Sequence, residues 1–509
     1  MKITLMFQLV KGGFASKLYM KLRTICSLLL AAIPLIGHAQ QQVFFDYRVE
    51  VSALVGEGRF APMWFTANRY GMCSNYSKDA LLRAGLHYQQ DLKHHWQVDA
   101  GVELVGGKTP GANFWVHQAY VDVAWRKLNL SIGNKERMGT PLEKDLSLSG
   151  GWMVEGPNVR PIPQVRMEVK EYLVVPFTKN WLAFKGHMAY GWMADGHWQK
   201  DFAGVEKLFT QEVLYHSKSL MLRVGNKEQL PVELELGIIT AAQFGGKRFQ
   251  KNADGSATLI ATMPNGVNDF FKILIPKQQS TLANVQGNHC GSWNFALNTY
   301  WGAWKVRTYL EHYFEDHSQM FWQYGRWKDG LLGCEVTLPV NRWISSVVWE
   351  GMSTKDQTKS ILYDGVAGSF GDLQMSGGDN YYNNVEYLGY QYYGATLGHP
   401  FLYGPMYNGD GSNEIKSSRV RSNHLGVAGH PSAEWSWRVL ASFVRHWGRY
   451  MKPLDKQRKQ FSGLAEVTYQ PKWTKGWSVS ASLGLDRGNY LGNNSGGTLT
   501  LRKTGGFGV

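Results

Sequence analysis

Cationic and amide side chains cluster within residues 146–166, a stretch that two prolines interrupt. Pro161 and Pro163 each confine the residue before them to extended backbone, so Arg160 is held in a fixed direction. A guanidinium presented in this way can make a forked contact with a carboxylate, such as that of an acidic sugar. We therefore predict polysaccharide binding by Asn158, Arg160 and Arg166. The alternative is a rigid surface loop that binds no ligand.

A second cluster lies in residues 377–384, whose sequence is GGDNYYNN. The flat face of a tyrosine ring packs on the C–H groups of a sugar, and carboxylate and amide groups hydrogen-bond to sugar hydroxyls. This combination predicts a carbohydrate-binding loop that uses Asp379, Tyr381, Tyr382 and Asn383. If the loop is extended, the two tyrosines point to opposite sides and only one stacks on sugar. The alternative is a loop whose tyrosines pack against neighbouring segments.

The sequence carries none of the common catalytic or metal-binding motifs GxSxG, HExxH and the P-loop. His312, Glu315 and Asp316 are the nearest approach to an acid–base or metal site. Adjacent carboxylates point apart in extended chain, however, which favours structural pairing with basic residues. We therefore predict no catalytic residue, no bound metal and no cofactor.

Apolar and polar residues alternate over most of the chain, which is the pattern of strands with one apolar face. In residues 477–486, Val479, Ala481 and Leu483 lie on one face, and Ser480 and Ser482 lie on the other. The pattern predicts about eighteen strands, near 43–55, 80–90, 94–105, 114–125, 128–135, 164–177, 181–192, 212–224, 231–243, 289–300, 303–314, 329–339, 342–353, 417–430, 434–447, 460–470, 475–486 and 497–509.

The connections between these strands alternate between short turns and mostly long loops. One rim of tight turns and one of long loops is typical of an outer-membrane β-barrel, with the long loops outside the cell. Aromatic residues also sit repeatedly at strand ends, as in the girdles of such barrels. These positions are Trp96, Trp125, Trp181, Trp301, Trp304, Trp343, Trp473 and Trp477. We predict an all-β transmembrane barrel whose longer loops, including 136–163, plug the lumen.

Residues 1–39 read as a targeting segment followed by a single barrel domain in 40–509. Lys21 and Arg23 precede a short apolar run, and Gly37-His38-Ala39 fits a signal-peptidase site. We expect Met20 to be the true start and cleavage to follow Ala39. Removing the segment's five basic residues lowers the formal net charge from +14 to +9. An exported basic chain favours acidic polymers or lipid headgroups as partners and argues against nucleic acid.

The two clusters described above resemble motifs of the Wzi family of capsule-assembly outer-membrane proteins. Further similar motifs run in the same order along nearly the whole mature chain: 62–71 (PMWFTANRYG), 175–195, 242–246 (AQFGG), 287–293 (GNHCGSW), 312–318 (HYFEDHS), 328–333, 423–429 (NHLGVAG) and 485–497. The resemblance implies an eighteen-stranded barrel closed at its periplasmic end. It also implies a lectin-like role in attaching exported polysaccharide to the cell surface. Val154-Glu155-Gly156 departs from the family pattern, and the glycan is left open.

Three functions follow from these observations, in decreasing order of support. The first is a non-enzymatic polysaccharide-binding protein of the outer membrane. The second is a diffusion channel or polysaccharide export pore, which the long lumen loops disfavour. The third is a surface glycan hydrolase, whose two carboxylates cannot be assigned from spacing.

Overall fold

In the computed structural model, the described residues are 44–109, 112–274, 287–315, 317–320, 328–341, 343–360 and 376–508. The targeting segment predicted in residues 1–39 lies outside them. No helix in the described part of the chain is long and apolar enough to cross a membrane.

Eighteen antiparallel strands form one closed barrel, as predicted. They are β1 (Phe44–Glu57), β2 (Lys78–Asp91), β3 (Trp96–Thr109), β4 (Ala112–Trp125), β5 (Leu128–Asn134), β6 (Gln164–Val174), β7 (Leu182–Trp192), β8 (Leu214–Val224), β9 (Val232–Phe244), β10 (Asn288–Trp301), β11 (Trp304–Phe314), β12 (Gly330–Thr337), β13 (Ser346–Ser353), β14 (Val420–Gly429), β15 (Trp435–Gly448), β16 (Pro453–Tyr469), β17 (Trp477–Gly488) and β18 (Asn494–Gly508). Each strand pairs with its neighbours in sequence, and β1 pairs with β18 from Phe44↔Gly508 to Glu57↔Ser495. This last pairing closes the sheet and leaves no free edge.

The alternation read from the sequence separates an outer face from a lumen face. In β17, Leu483 is 71% exposed and Val479 is 40% exposed, whereas Ser482 is 4% exposed. The exposed apolar face suits lipid, and the buried polar face suits a filled lumen. The eight tryptophans predicted at strand ends are all exposed, as an interfacial girdle requires.

The two rims differ mostly as predicted. On the short-turn rim the connection predicted at 340–341 spans residues 338–345, and three loops on the long-loop rim are also exceptions. The predicted loops 106–113, 448–459 and 487–496 are shorter, because the flanking strands continue to residues 109, 448 and 488 and resume at 112, 453 and 494. The added pairing between β15 and β16 includes a β-bulge, where the register shifts between His446 and Gly448 of β15. The extended strands carry polar residues beyond the apolar band, where hydrophobic periodicity no longer marks them.

Three of the long connections fold into the lumen and together form the plug: residues 58–77, 135–163 and the described parts of 354–419. Tyr70 donates its backbone N–H to the Pro157 carbonyl at 2.6 Å, and Gly156 donates to the Leu397 carbonyl at 3.1 Å. The plug is fixed to the wall as well, since Trp64 Nε1 donates to Ser442 Oγ of β15 at 3.2 Å. The barrel is therefore filled by its own loops, as the sequence predicts for 136–163.

The loops also carry short elements of their own. A three-stranded sheet joins Leu208–Gln211, Lys247–Lys251 and Ala257–Thr262. Short helices occur at Met63–Thr66, Trp198–Phe202, Val267–Leu274 and His317–Met320, with 3-10 turns at Lys93–His95, Pro405–Tyr407 and Lys472–Thr474. Two-stranded pairs join Thr358–Ser360 to Ser376–Gly378, Asn383–Asn384 to Leu388–Gly389 and Gln391–Tyr392 to Ala395–Thr396.

A buried ion cluster joins the plug to two wall strands. Lys144 Nζ lies 2.5 Å from Glu311 Oε1 of β11 and 3.4 Å from Glu350 Oε1 of β13, and its side chain is 0% exposed. Glu350 also accepts the Gly150 backbone N–H at 2.6 Å. Gly151 follows with φ +144°, and a Cβ there would lie 2.5 Å from Pro400. Only glycine fits this turn, where two segments of the plug pack against each other.

Candidate functional site

A basic cavity lies between the plug and the wall strands β6 and β8. It encloses about 460 Å³ of space without protein atoms, counting the part that opens to solvent. Four cationic residues and one carboxylate line it, together with apolar and tyrosine side chains: Tyr70, Lys135, Arg137, Gly139, Glu155, Gly156, Val159, Arg160, Pro161, Ile162, Gln164, Arg166, Tyr215 and Leu397. The excess of positive charge favours an anionic or acidic-sugar ligand.

Arg137 is the least satisfied cation of this cavity. Its Nη2 donates to Ser131 Oγ of β5, but its buried Nη1 has no hydrogen-bond partner among the described residues. Burial, and then the nearby charge of Arg166, lower the pKa of Arg137 to about 10. An anion at Nη1 would satisfy the donor and offset both effects, because hydrogen bonds to ionised groups are among the strong ones.

Two acceptors of the same cavity are also unsatisfied. Glu155 Oε2 and Gln164 Oε1 are buried and have no partner in the part of the chain that the structure describes, although Glu155 Oε1 accepts a 2.5 Å hydrogen bond from Tyr215. Buried polar atoms normally find a partner in protein, water or ligand. A cavity that offers both an open donor and open acceptors suits a hydroxylated ligand such as a sugar, or ordered water.

Arg160, predicted from the prolines around it, lies at this cavity. Its guanidinium carbon is 4.2 Å from the ring centre of Trp115 and 4.2 Å from that of Tyr393. Its Nε donates to the Gly71 carbonyl at 3.4 Å, and burial lowers its pKa. The rings and the fixed backbone hold the guanidinium in one orientation, which is the pre-positioning that the sequence predicts.

Arg166 and Asn158 are already engaged within the protein. Arg166 Nε donates to Glu168 Oε2 at 2.5 Å on the lumen face of β6. Asn158 Nδ2 donates to the Thr396 carbonyl at 2.9 Å, and its Oδ1 accepts the Asn68 backbone N–H at 3.3 Å. Asn158 therefore links all three plug segments, while Arg166 contributes charge to the cavity wall.

The predicted carbohydrate loop is packed inside the plug instead of being extended. Tyr381 and Tyr382 are 2% and 1% exposed, and both rings meet Tyr313 edge-to-face at 4.8 and 5.3 Å. Tyr382 has φ 61°, so the backbone turns there, and its hydroxyl donates to the Met153 carbonyl. In this conformation neither ring offers a face to sugar, which corrects the expectation that one of them does.

Asp379 and Asn383 hold the same loop together. Asp379 Oδ2 accepts from Gln319 Nε2 at 2.9 Å. Asn383 Nδ2 donates to the Ile415 carbonyl at 3.0 Å, and its Oδ1 accepts the Ile415 backbone N–H at 2.9 Å. The four residues predicted in 377–384 are thus separate from the cavity and act as scaffold in this structure.

The sequence analysis missed Arg137 and its neighbour Lys135. Lys135 Nζ contacts Asp99 and Asp122 at 3.0 and 2.9 Å, whereas one donor of Arg137 meets no acceptor among the residues described. A signal was present, since two cations alternate with Glu136 directly after β5 and so continue its lumen face.

A second group of possible metal ligands already surrounds a cationic side chain, that of Arg83. Glu103, His117 and Glu136 place one ligand atom each within 4.8 Å of one another. Arg83 lies among them, with Nε 2.8 Å from Glu103 Oε1 and Nη2 2.9 Å from Glu136 Oε1. The guanidinium supplies the positive charge that a metal would bring, so this group reads as a lumen ion pair network. His312, named above, likewise contacts two backbone carbonyls, of Asp329 and Gln319.

Comparison with solved structures finds the same fold in a bacterial outer-membrane protein. The chain is similar to Wzi of Escherichia coli, described as an outer membrane protein involved in group 1 capsule assembly and a carbohydrate-binding β-barrel. The TM-score is 0.54 at 13% identity, over 97% of this chain and 89% of that one. This chain has the fold of an outer-membrane β-barrel.

Other barrels align over similar lengths with lower scores. Pseudomonas aeruginosa OccK1 (OpdK) gives a TM-score of 0.46 at 9% identity over 91% of this chain and 99% of that one. OccK5 (OpdH) of the same organism gives 0.44 at 11% identity, over 91% and 98%. No family model matches the sequence, and no curated protein matches it. The likeness to Wzi therefore supports the fold of this barrel, and no family follows from it.

Proposed function

We propose that this barrel is a lectin-like protein of the Wzi family that binds capsular or extracellular polysaccharide and helps attach or assemble it at the cell surface. The observation that carries the proposal is the basic cavity, in which one buried guanidinium nitrogen of Arg137 has no hydrogen-bond partner within the described segments. The order of sequence motifs and the likeness to the carbohydrate-binding barrel Wzi support the same function.

The bound group is an acidic substituent of the glycan, such as a uronate carboxylate. Arg137 and Arg160 approach the cavity from the plug, and Arg166 adds charge from the wall. One such contact is weak on its own, but a polymer engages many copies of the protein on one cell, so retention depends on avidity. In this proposal the protein binds the polysaccharide and does not catalyse a reaction on it.

The competing function is an open diffusion channel or export pore. Three segments fill the lumen, and the link between them and the wall includes an ion cluster with Lys144 0% exposed. Such a plug opposes steady conduction. Planar-bilayer recording separates the two functions, since the binder shows little steady conductance and a channel shows a large stable one.

The binding experiment uses purified protein and two polymers, polygalacturonate and neutral dextran. Arg137→Gln removes the open donor and its charge, and should weaken polygalacturonate binding about tenfold or more. Arg126→Gln is the matched control, because Arg126 is an exposed arginine on the opposite, short-turn rim. Equal binding by the two variants and the native protein would remove the cavity from the proposal.

A further inference from the structure

Three cations form a row on the outer wall of the barrel. Arg421 of β14 is paired in register with Arg445 of β15, and Arg445 is paired with Lys459 of β16. All three residues are exposed. Arg421 and Arg445 each lie between two buried neighbours, and Lys459 lies between half-buried Arg458 and buried Gln460. Their side chains therefore point away from the plug and toward the membrane.

This row is unfavourable in the isolated protein. Side chains directly opposite on neighbouring strands lie only ~4.5–5.5 Å apart at Cβ, and like charges in such pairs repel. None of the ion pairs among the described residues involves Arg421, Arg445 or Lys459. The nearest acid along β16, Asp455, pairs with Arg458 at 3.8 Å instead. A ligand that brings negative charge would offset the repulsion.

The position of the three cations relative to the apolar band of the barrel indicates the source of the negatively charged ligand. Two residues further toward the short-turn rim, the same outer face presents Phe443 and Phe461, whose ring centres are 4.8 Å apart. Phe443 is 59% exposed. On β14, the outward residue that follows Asn423 is Leu425, which is 45% exposed. These exposed apolar side chains mark the apolar band. Two residues of strand span ~7 Å. The cations thus stand just outside the hydrocarbon on the long-loop side, at headgroup level.

We propose that Arg421, Arg445 and Lys459 bind the phosphate groups of an anionic lipid in the outer leaflet. Arginine suits phosphate because its donors form a planar fork. The outward direction and the adjoining apolar band favour lipid over an exported acidic polysaccharide. The inference rests on the barrel and is independent of the polysaccharide proposal.

The binding test is native mass spectrometry of the full chain in neutral detergent with lipid A, which carries phosphates, or with zwitterionic phosphatidylcholine. The row variant is Arg421→Gln/Arg445→Gln/Lys459→Gln. The matched control Lys93→Gln/Lys227→Gln/Lys472→Gln removes three exposed lysines from the short-turn rim.

The native chain and the control should retain lipid A selectively, and the row variant should bind it at least tenfold more weakly. Added salt should weaken the native binding. Equal lipid A binding by the row variant overturns the proposal. So does a row variant that keeps lipid A but loses polygalacturonate, because the row would then serve the glycan.

A melting experiment distinguishes lipid binding from a structural role. Without lipid, the row variant should melt at the same temperature as the native chain or higher, because repulsion is removed. With lipid A, only the native chain and the control should gain stability, since a ligand stabilises the state that binds it. A row variant that is less stable in lipid-free detergent would show that the row supports the fold, and it overturns the proposal.

Discussion

The link between plug and wall predicts a large effect for one substitution, Lys144→Met. Lys144 Nζ contacts Glu311 Oε1 at 2.5 Å, the Gly151 carbonyl at 2.6 Å and Glu350 Oε1 at 3.4 Å. The exposed fractions of the Lys144, Glu311 and Glu350 side chains are 0%, 0% and 2%. Methionine keeps the length of the side chain but leaves two carboxylates buried without a cation.

Breaking a buried ion pair in this way costs ~3–5 kcal/mol, mostly because an uncompensated charge stays buried. We expect Lys144→Met to lower the free energy of unfolding by that amount, measured by urea unfolding in detergent. Because the lost contacts join plug to wall, we also expect conductance events in planar bilayers that the native protein does not show. Adding Glu311→Gln to Lys144→Met should restore part of the lost stability, since one buried charge is removed.

Lys247→Met is the matched control. Lys247 also makes an ion pair, with Glu212 at 2.9 Å, but the two side chains are 40% and 48% exposed. Exposed pairs contribute ~0–1 kcal/mol. If Lys144→Met costs no more than this control and leaves the bilayer silent, the cluster does not anchor the plug and the reasoning fails.

Two further predictions concern the lipid face and the pH response. Leu483→Arg places a charge on an outward side chain that is 71% exposed, and should cost ~2–4 kcal/mol near the membrane midplane, whereas Leu483→Phe should be close to neutral. Burial raises the pKa of Asp195, in the loop after β7, to about 6 from 3.8. The raised value means that folding favours the protonated form, so its stabilisation is complete below pH 3.8 and is lost as the pH rises through 6. Relative to Asp195→Asn, the native protein should lose up to ~3 kcal/mol across this window in urea unfolding, and parallel pH curves would refute the assignment.

The structure rules out Ser482→Arg as a harmless lumen-facing control for Leu483→Arg, although the alternating pattern suggests it. Ser482 faces the lumen, so an arginine there would be tolerated in an open barrel. Its hydroxyl donates to Glu466 Oε2 at 2.8 Å, and Arg69 and Arg438 already contact the same carboxylate. A third arginine would share a carboxylate that two arginines already contact, so Ser482→Arg is expected to be damaging as well.

The barrel itself could be predicted from sequence because its determinants are local. Alternation along each strand separates Leu483 from Ser482 without knowledge of the partner strands. Loop lengths then fix the number of hairpins and the two rims. The missed extensions, such as β16 beginning at Pro453, carry polar residues such as Lys456 and Lys459 on strands that have left the membrane band.

The site was predicted only in part, because the plug is built from contacts between distant segments. The prolines beside Arg160 are local, and this residue does reach the cavity. The burial of Tyr382 depends on Met153 and Tyr313, which no local pattern connects to it. A tyrosine-rich loop has the same composition whether it faces sugar or packs inside a lumen.

The most direct test of the proposed function is the amount of cell-bound polysaccharide in a strain that expresses only Arg137→Gln, compared with the native chain and Arg126→Gln. Total polysaccharide and the folded barrel in the outer membrane are measured in the same cells. We predict that Arg137→Gln shifts polysaccharide from the cells into the medium while total synthesis and barrel folding stay unchanged. Cell-bound polysaccharide equal to that of the native chain, with the variant folded in the membrane, would contradict the account.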